Sequence, residues 1–306
     1  MTRSATLTCY DISSGVENLT HTDDFLKEIK MILSESKTVA SRIRYLSDLK
    51  EEGESQFISS FQTFDDSLFC SFLYMEKGSG VNISESLMNS KSFDLEEAEA
   101  DSDSNITGHI KESTYFLMTS KYLVMKNSRG ISKEDVSIYL NFLLENMSKN
   151  YKGKQHPLSL NYHIRNNFDV SKIKSFELKD GFKINKESIV STVSKTLELN
   201  AIFNAVDMEG LSVEDVLSAS IVFKIKKLPK DSKTEQTKIA QTLFDAFNTE
   251  NVKFMGKGNS PMSVKDAKMT KEISLSFSNN SRYPDKDLLR KDMVGFIVEV
   301  ENENNS

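Results

Sequence analysis

The sequence is poor in residues that bind metals or form disulfides. Its 306 residues include two cysteines, four histidines and no tryptophan. These scarce residues are Cys9, Cys70, His21, His109, His156 and His163. None of them has the CxxC or HxxxH spacing of a zinc site, and His156 and His163 fall in a segment typical of strand and turn. We therefore expect no bound metal, no cofactor and two reduced, buried thiols.

Long apolar runs are also missing. No window approaches the roughly 18 consecutive apolar residues that a membrane-spanning helix needs. The N-terminal residues, MTRSATLTCYDISSG, lack the apolar region and the small-residue cleavage site of a signal peptide. Apolar residues make up 38% and charged residues 27% of the chain, as in a soluble globular protein. We therefore expect a cytoplasmic protein.

Catalytic signatures are few. The chain has no GxSxG, no cysteine–histidine pair and no kinase signature, and MGKGNSP lacks the spacing of a P-loop. One arrangement stays open, because Asp169 followed by Glu177 and Lys179 matches the D…ExK pattern of metal-dependent nucleases. Since ExK arises often by chance in a lysine-rich chain, a non-enzymatic function is favoured and a nuclease is the alternative.

Apolar periodicity predicts an irregular mixture of strands and helices. Strands are expected at 4–12, 41–49, 66–76, 106–130 (a pair with a turn near 120–121), 156–164, 170–184 (around a turn at 179–181), 218–228, 271–279 and 293–302. Helices are expected at 23–36, 132–149, 185–203, 231–248 and 285–292. Because no regular βαβ rhythm is present, the fold class is α+β, with mixed, largely antiparallel sheets and helices packed on them.

The composition predicts two domains, an N-terminal α+β domain at 1–165 and a basic C-terminal α+β domain at 166–306. The first contains a long acidic loop at 77–105. Within this loop Asp101, Asp103 and Asn105 form a D-x-D-x-N pattern, as in a calcium-binding EF-hand. The sixth position of that pattern holds Ile106 instead of the required glycine, so a solvated loop is favoured.

Charge is unevenly distributed along the chain. The formal net charge is −6, yet residues 221–271 contain eleven lysines against five acidic residues. Residues 150–196 contain nine basic residues against four acidic ones. A basic region on an acidic protein can create a local positive field. The second half of the chain is therefore the expected site for an anionic partner.

The strand predicted at 220–228 carries this charge on one face. Ile221, Phe223 and Ile225 alternate with Val222, Lys224 and Lys226. Lysines two residues apart on a strand are about 7 Å apart, a spacing that can follow a phosphate backbone. The alternative is that these lysines only keep an exposed strand soluble.

The candidate DNA-binding residues extend from this strand into the segments that follow it. They are Lys224, Lys226, Lys227, Lys230, Lys233, Lys238, Lys253 and Lys257. Lysine predominates over arginine and no aromatic residues interleave, which favours sequence-independent contact with the phosphates of duplex DNA. A DNA-binding surface requires that the two basic segments, 150–196 and 221–271, lie side by side.

Residues 106–250 resemble the phage λ exclusion protein family of the RexA type. The similar stretches are STYFLMTSKYLVMKNSRG, ISKEDVSIYLNFLL, SKIKSFELK, FNAVDMEG and SASIVFKIKK. The resemblance implies an RdgC-like fold and a homodimer that binds double-stranded DNA in anti-phage exclusion, with a membrane-protein partner encoded nearby. Of the candidate lysines, only those at 224–238 correspond to a basic stretch of that family.

Three hypotheses follow from the sequence. The first is a sequence-nonspecific DNA-binding protein that acts in defence against phage. The second is a metal-dependent nuclease that uses Asp169, Glu177 and Lys179. The third is a protein-binding scaffold or inhibitor that uses the acidic segment 94–103 as its contact.

Overall fold

The computed structural model describes most of the first half of the chain and shorter parts of the second half. The described residues are 3–14, 23–46, 54–78, 80–165, 175–178, 221–224, 252–255, 261–262, 267–277 and 281–304. Helices and a large antiparallel sheet are both present, so the predicted α+β class is confirmed. The chain divides into a first unit, Met1–His163 with Thr270–Ser306, and a second unit, Ile164–Met269.

Thirteen strands are present in the described residues. They are β1 (Arg3–Ser14), β2 (Arg44–Tyr45), β3 (Ser55–Thr63), β4 (Ser67–Glu76), β5 (Val81–Ser84), β6 (Ile106–Thr119), β7 (Tyr122–Lys126), β8 (Leu158–Tyr162), β9 (Ser175–Leu178), β10 (Ile221–Lys224), β11 (Val252–Met255), β12 (Pro261–Met262) and β13 (Thr270–Leu275). Nine of them form the sheet of the first unit and four form a sheet in the second unit.

The helices whose full bounds lie within the described residues belong to the first unit. They are α1 (Asp23–Glu35), a single 3₁₀ turn (Ala40–Arg42), α2 (Glu85–Asn89), α3 (Leu95–Ala100), α4 (Lys133–Met147) and α5 (Lys286–Asn304). None of these helices is both long enough and apolar enough to cross a bilayer.

The large sheet runs in the order β13-β1-β7-β6-β4-β3-β2, with β5 beside β6 and β8 beside β1. All of its pairings are antiparallel. Its central strand β4 is buried continuously from 67 to 73, as predicted from its two apolar faces. On one face Phe72 contacts Tyr139 of α4, with ring centroids 5.1 Å apart. On the other face Phe69 stacks on Tyr115.

Helix α4 is favoured both by a capping box at its N-terminus and by an apolar stripe along one face. Ser132 Oγ accepts a hydrogen bond from the Asp135 N–H (3.2 Å), and an Asp135 carboxylate oxygen accepts one from the Ser132 N–H (2.8 Å). This reciprocal capping box begins the helix where the sequence predicted it, with aspartate in place of glutamate. The predicted stripe is buried and consists of Val136, Tyr139, Leu140, Leu143 and Leu144.

The prediction of a strand at 293–302 is wrong. This segment is the C-terminal half of α5, which continues the helix predicted at 285–292. The apolar residues that α5 buries recur three and four positions apart, namely Leu289, Met293, Phe296, Ile297 and Val300. That period places them on one helical face against β6, β7 and β13. Burial therefore overrides the strand preference of the valines and isoleucine in this segment.

Three further segments differ from their predictions. Strand β3 was not predicted, although it pairs with β4 over most of its length. Of the strand predicted at 41–49, residues 41–46 are described, and within them Arg44–Tyr45 pairs with β3. The acidic loop predicted at 77–105 contains β5, α2 and α3, so it is more ordered than a loop.

The predicted division at 165 and 166 differs from the structure at its C-terminal end. The second unit ends at Met269, and Thr270–Ser306 belongs to the first unit. The physical reason is that β13 hydrogen-bonds to β1 at the edge of the large sheet. Because β8 pairs with the same strand, the second unit is an insertion between two neighbouring segments of that sheet.

Candidate nucleic-acid interface

The second unit contains a four-stranded antiparallel sheet in the order β10-β9-β11-β12. Its register pairs Lys224 of β10 with Ser175 of β9, and Lys253 of β11 with Glu177 of β9. The strand predicted at 218–228 is present as β10, and the strand predicted at 170–184 is present as β9. The sheet thus brings together two predicted DNA-binding positions that are far apart in the sequence.

The register divides this sheet into two chemically different faces. Directly paired residues share a face, and successive residues of a strand alternate between faces. One face therefore holds only apolar residues from the three longer strands, namely Phe176, Leu178, Ile221, Phe223, Val252 and Phe254. The other face holds Ser175, Glu177, Val222, Lys224, Lys253 and Met255. Both lysines fall on the second face.

The two lysine positions have a spacing that suits a polyanion. Lys224 and Lys253 are separated by β9 and are offset by one step of two residues. Ideal sheet spacings place their Cα atoms about 12 Å apart.

The other six predicted binding residues all lie outside the described residues. These are Lys226, Lys227, Lys230, Lys233, Lys238 and Lys257, together with the helices predicted at 185–203 and 231–248. Lys253 was predicted from local charge alone, and its place beside β9 could not be read from the sequence.

The proposed nuclease residues are only partly described. Glu177 lies in β9, whereas Asp169 and Lys179 lie outside the described residues. In the register of the sheet, the position opposite Glu177 on β11 is Lys253. The nuclease alternative therefore stays a prediction.

The first unit presents a second basic feature in the turn at 149–156, here termed the basic turn. Its exposed cationic residues are Lys149, Lys152 and Lys154. The segment 150–196 was singled out from the sequence as basic, but Lys149 was not. Gly153 has a positive φ of 77°, which favours glycine and allows the chain to reverse there.

The basic turn is anchored to buried groups of the first unit. Ser148 Oγ donates a hydrogen bond to the buried Glu28 carboxylate of α1 (2.5 Å), and Asn150 donates to the same carboxylate. Tyr151 is buried and packs on Phe25, with ring centroids 5.1 Å apart. These contacts hold the backbone of the turn in place, so the ordering cost of binding falls mainly on the exposed lysine side chains.

The acidic segment 94–103 contacts another part of its own unit. Arg282 forms an ion pair with Glu99 (3.3 Å), and Lys286 at the start of α5 forms one with Asp94. Ser281 Oγ donates a hydrogen bond to Glu96 (3.2 Å). Since three carboxylates already have partners within the unit, the segment is less suited to be the contact surface of a scaffold or inhibitor.

The D-x-D-x-N pattern at 101–105 forms successive turns. The Asp101 carboxylate accepts a hydrogen bond from the Asp103 N–H (3.1 Å), and the Asp103 carboxylate accepts one from the Asn105 N–H (3.0 Å). Hydrogen bonding, first of all from Ser84, lowers the pKa of Asp101. These oxygens serve their own backbone, as in Asx turns, which agrees with the preference for a loop over a calcium site.

The histidines have separate surroundings. His163 Nδ1 lies 2.7 Å from an Asp11 carboxylate oxygen, whereas His156 lies near Glu145, 3.9 Å away. Within the described part of the chain, no group of three His, Cys, Asp or Glu residues could hold a metal ion. Cys9 and Cys70 are both buried and unpaired, as predicted.

Comparison of the chain with protein-family models, curated proteins and solved structures gave no match. The resemblance of residues 106–250 to the RexA type of exclusion protein therefore stays a prediction. The fold and the charge distribution are the grounds on which a function can be proposed.

Proposed function

We propose that this protein binds double-stranded DNA without sequence preference and acts in defence against phage. The observation that carries the proposal is the register of the second unit's sheet. It places Lys224 and Lys253 on the same face, while the opposite face is apolar. In antiparallel sheets with one apolar and one polar set of positions, the polar set commonly faces solvent, and this general rule supports the proposal.

The chemistry of this face suits phosphates better than bases. Lysine is a compact point charge, whereas reading a base edge usually requires the planar fork of arginine or an amide side chain. The ladder of β9, β10 and β11 contains no arginine at its paired positions. Binding should therefore depend steeply on salt and little on sequence.

The basic turn supports the same kind of partner. Lys149, Lys152 and Lys154 are exposed on a rigid turn in a chain whose formal net charge is −6. Acidic residues thus outnumber basic ones in the rest of the chain. A local group of lysines therefore creates a positive field that attracts an anionic partner.

The test is a binding titration with duplexes of unrelated sequence over a range of salt concentrations. Changing Lys224, Lys226 and Lys227 together to Glu should weaken binding by roughly 100-fold at physiological salt. The slope of log K against log salt should fall by about three, because about 0.9 is lost for each phosphate contact.

The control changes the same number of lysines to glutamate elsewhere. Lys77, Lys91 and Lys121 of the first unit are exposed and form no ion pair among the described residues. Changing these three lysines to Glu alters the net charge by the same amount. Any larger loss of DNA binding in the Lys224/Lys226/Lys227 variant is therefore specific to those three positions. Equal losses in the two triple variants, or no DNA binding by the unaltered protein, would overturn the proposal.

Incubation with plasmid DNA separates DNA binding from nuclease activity. The protein should leave plasmid DNA intact in Mg²⁺ or Mn²⁺ over hours. Cleavage that is lost on changing Glu177 to Gln would instead establish the nuclease alternative.

The defence role rests on the resemblance and needs its own assay. Cells that express the protein should reduce the plating efficiency of at least some phages, and co-expression of a membrane protein, if one is encoded beside it, tests the partner that the resemblance implies. The Lys224/Lys226/Lys227 variant should restore plating. Protection that persists in a variant unable to bind DNA would separate defence from DNA binding.

A further inference from the structure

Helix α5 has an outward row of residues that nothing in the described part of its unit covers. The row consists of Asp287, Lys291, Val294, Val298 and Glu301, all of which are exposed. Their spacing alternates between four and three, which is the spacing of a coiled-coil seam. Val294 and Val298 lie at its centre and are 38% and 49% exposed. We refer to this row as the α5 seam.

Helix α5 carries more exposed large hydrophobic side chains than the other described elements. Among the described residues, six large hydrophobic side chains are exposed, and α5 carries three of them. These three are Leu288, Val294 and Val298. Val294 and Val298 are one helical turn apart on the seam, whereas Leu288 lies about a quarter turn away around the helix. The two valines therefore form the apolar part of the candidate contact surface.

Gly295 adds a second feature to the same side of α5. A Cβ atom at this position would meet nothing within 4 Å, so no neighbour in the described structure requires glycine there. Glycine inside a helix is less favourable than alanine by about 1 kcal/mol. A small residue beside the seam lets another helix approach closely.

The charged residues of the seam are complementary to those of a second, antiparallel copy of α5. Lys291 stands before the two valines and Glu301 after them, and neither forms an ion pair among the described residues. In a parallel pair of α5 helices, Lys291 would face Lys291 and Glu301 would face Glu301, so like charges would repel. In an antiparallel pair centred on position 296, Val294 faces Val298 of the partner subunit and Lys291 faces Glu301 of the partner subunit, each twice by symmetry.

We propose that the α5 seam is the interface through which two copies of this chain associate, antiparallel and about a twofold axis. A contact made by one helix from each subunit is small compared with a standard interface. The association should therefore be reversible, with a dissociation constant on the order of micromolar. The proposal concerns the first unit and does not depend on DNA binding by the second.

Sedimentation of the full-length chain over a wide concentration range tests this interface. Val298→Asp should raise the dissociation constant by at least roughly tenfold, because it places a charge against the partner's valine. Lys291→Glu and Glu301→Lys should each raise it by roughly tenfold at low salt, and the double variant should return it close to the original value. Restoration by the double variant distinguishes a direct contact from a general effect of charge.

The matched control is Ile138→Asp on α4. Ile138 is 42% exposed, comparable to the seam valines, but it lies on another helix. This change should leave association unaltered. Circular dichroism should show that each variant is folded, as expected for exposed positions.

Two outcomes would overturn the proposal. One is a protein that stays monomeric throughout the concentration range, and the other is a dimer whose affinity none of the seam variants changes. If instead another segment of this chain or a different protein covers the seam, Val298→Asp will alter thermal stability or co-purification without altering self-association.

Discussion

Replacing Tyr139 with phenylalanine should destabilise the first unit by about 2–4 kcal/mol. The Tyr139 hydroxyl is fully buried and donates a hydrogen bond to the carbonyl oxygen of Arg42 (2.8 Å). It also accepts one from the Ile58 N–H (3.1 Å), next to an irregularity between Ile58 and Ser60 in the pairing of β3. Phenylalanine keeps the ring and its packing against Phe72 but leaves a buried donor and a buried acceptor without this partner. Each such group costs about 1–3 kcal/mol.

Tyr115 provides the matched control. It is 1% exposed and lies in β6 of the same unit, but its buried hydroxyl has no hydrogen-bond partner among the described residues. Burial raises its pKa, and the nearby Glu96 raises it further, so the hydroxyl is neutral at any ordinary pH. Tyr115→Phe should therefore change stability by less than about 0.5 kcal/mol, or increase it slightly.

Urea unfolding followed by far-ultraviolet circular dichroism measures both variants. The chain contains no tryptophan, so tryptophan fluorescence is not an option. A shift of the midpoint at constant m value reports a change in stability. If Tyr115→Phe costs as much as Tyr139→Phe, the loss comes from the ring environment and the hydrogen-bond argument is refuted.

Two further predictions concern the unit boundary and the thiols. Deleting residues 164–269 and closing the gap with a short glycine linker should leave the first unit folded, because Tyr162 and Thr270 pair with β1 at positions two residues apart. Loss of cooperative unfolding in the deletion variant would contradict the insertion. Burial raises the pKa of Cys9 and of Cys70, so both should resist a disulfide reagent at pH 8 until the protein unfolds. Rapid labelling of the native protein would show that these thiols are accessible.

The elements that could be predicted from the sequence are those fixed by local chemistry. Helix α4 was predicted because its cap and apolar stripe lie within 17 residues, from Ser132 to Ser148. The β6–β7 pair was predicted because a short turn joins two apolar runs. In both cases the residues that decide the structure are neighbours in the chain.

The elements that could not be predicted depend on distant partners. The C-terminal half of α5 has a strand-like composition, and only the sheet that covers one face makes a helix the better solution. Strand β13 joins the first unit because it pairs with β1, at the opposite end of the sequence. No pattern within either segment contains that information.

In the candidate interface, too, local features were predicted from the sequence and the pairing of distant strands was not. The alternation of Ile221, Val222, Phe223 and Lys224 predicted the strand β10 and its two faces. The sequence could not show that β9 separates this strand from Lys253, because register is a property of three segments together. Charge alone selected Lys253 as a candidate, and charge alone also selected lysines whose positions the described structure does not include.

The insertion makes the two proposals separable by experiment. The proposed DNA-binding lysines belong to the second unit, whereas the α5 seam belongs to the first. Deleting 164–269 should therefore weaken DNA binding strongly, leaving at most the contribution of the basic turn, and should preserve self-association. Val298→Asp should abolish self-association and keep binding to short duplexes unchanged. It should weaken binding to long duplexes, because two linked sites gain affinity only when both can reach the same molecule. If Val298→Asp affects long and short duplexes equally, self-association makes no contribution to DNA binding, even if both activities are real.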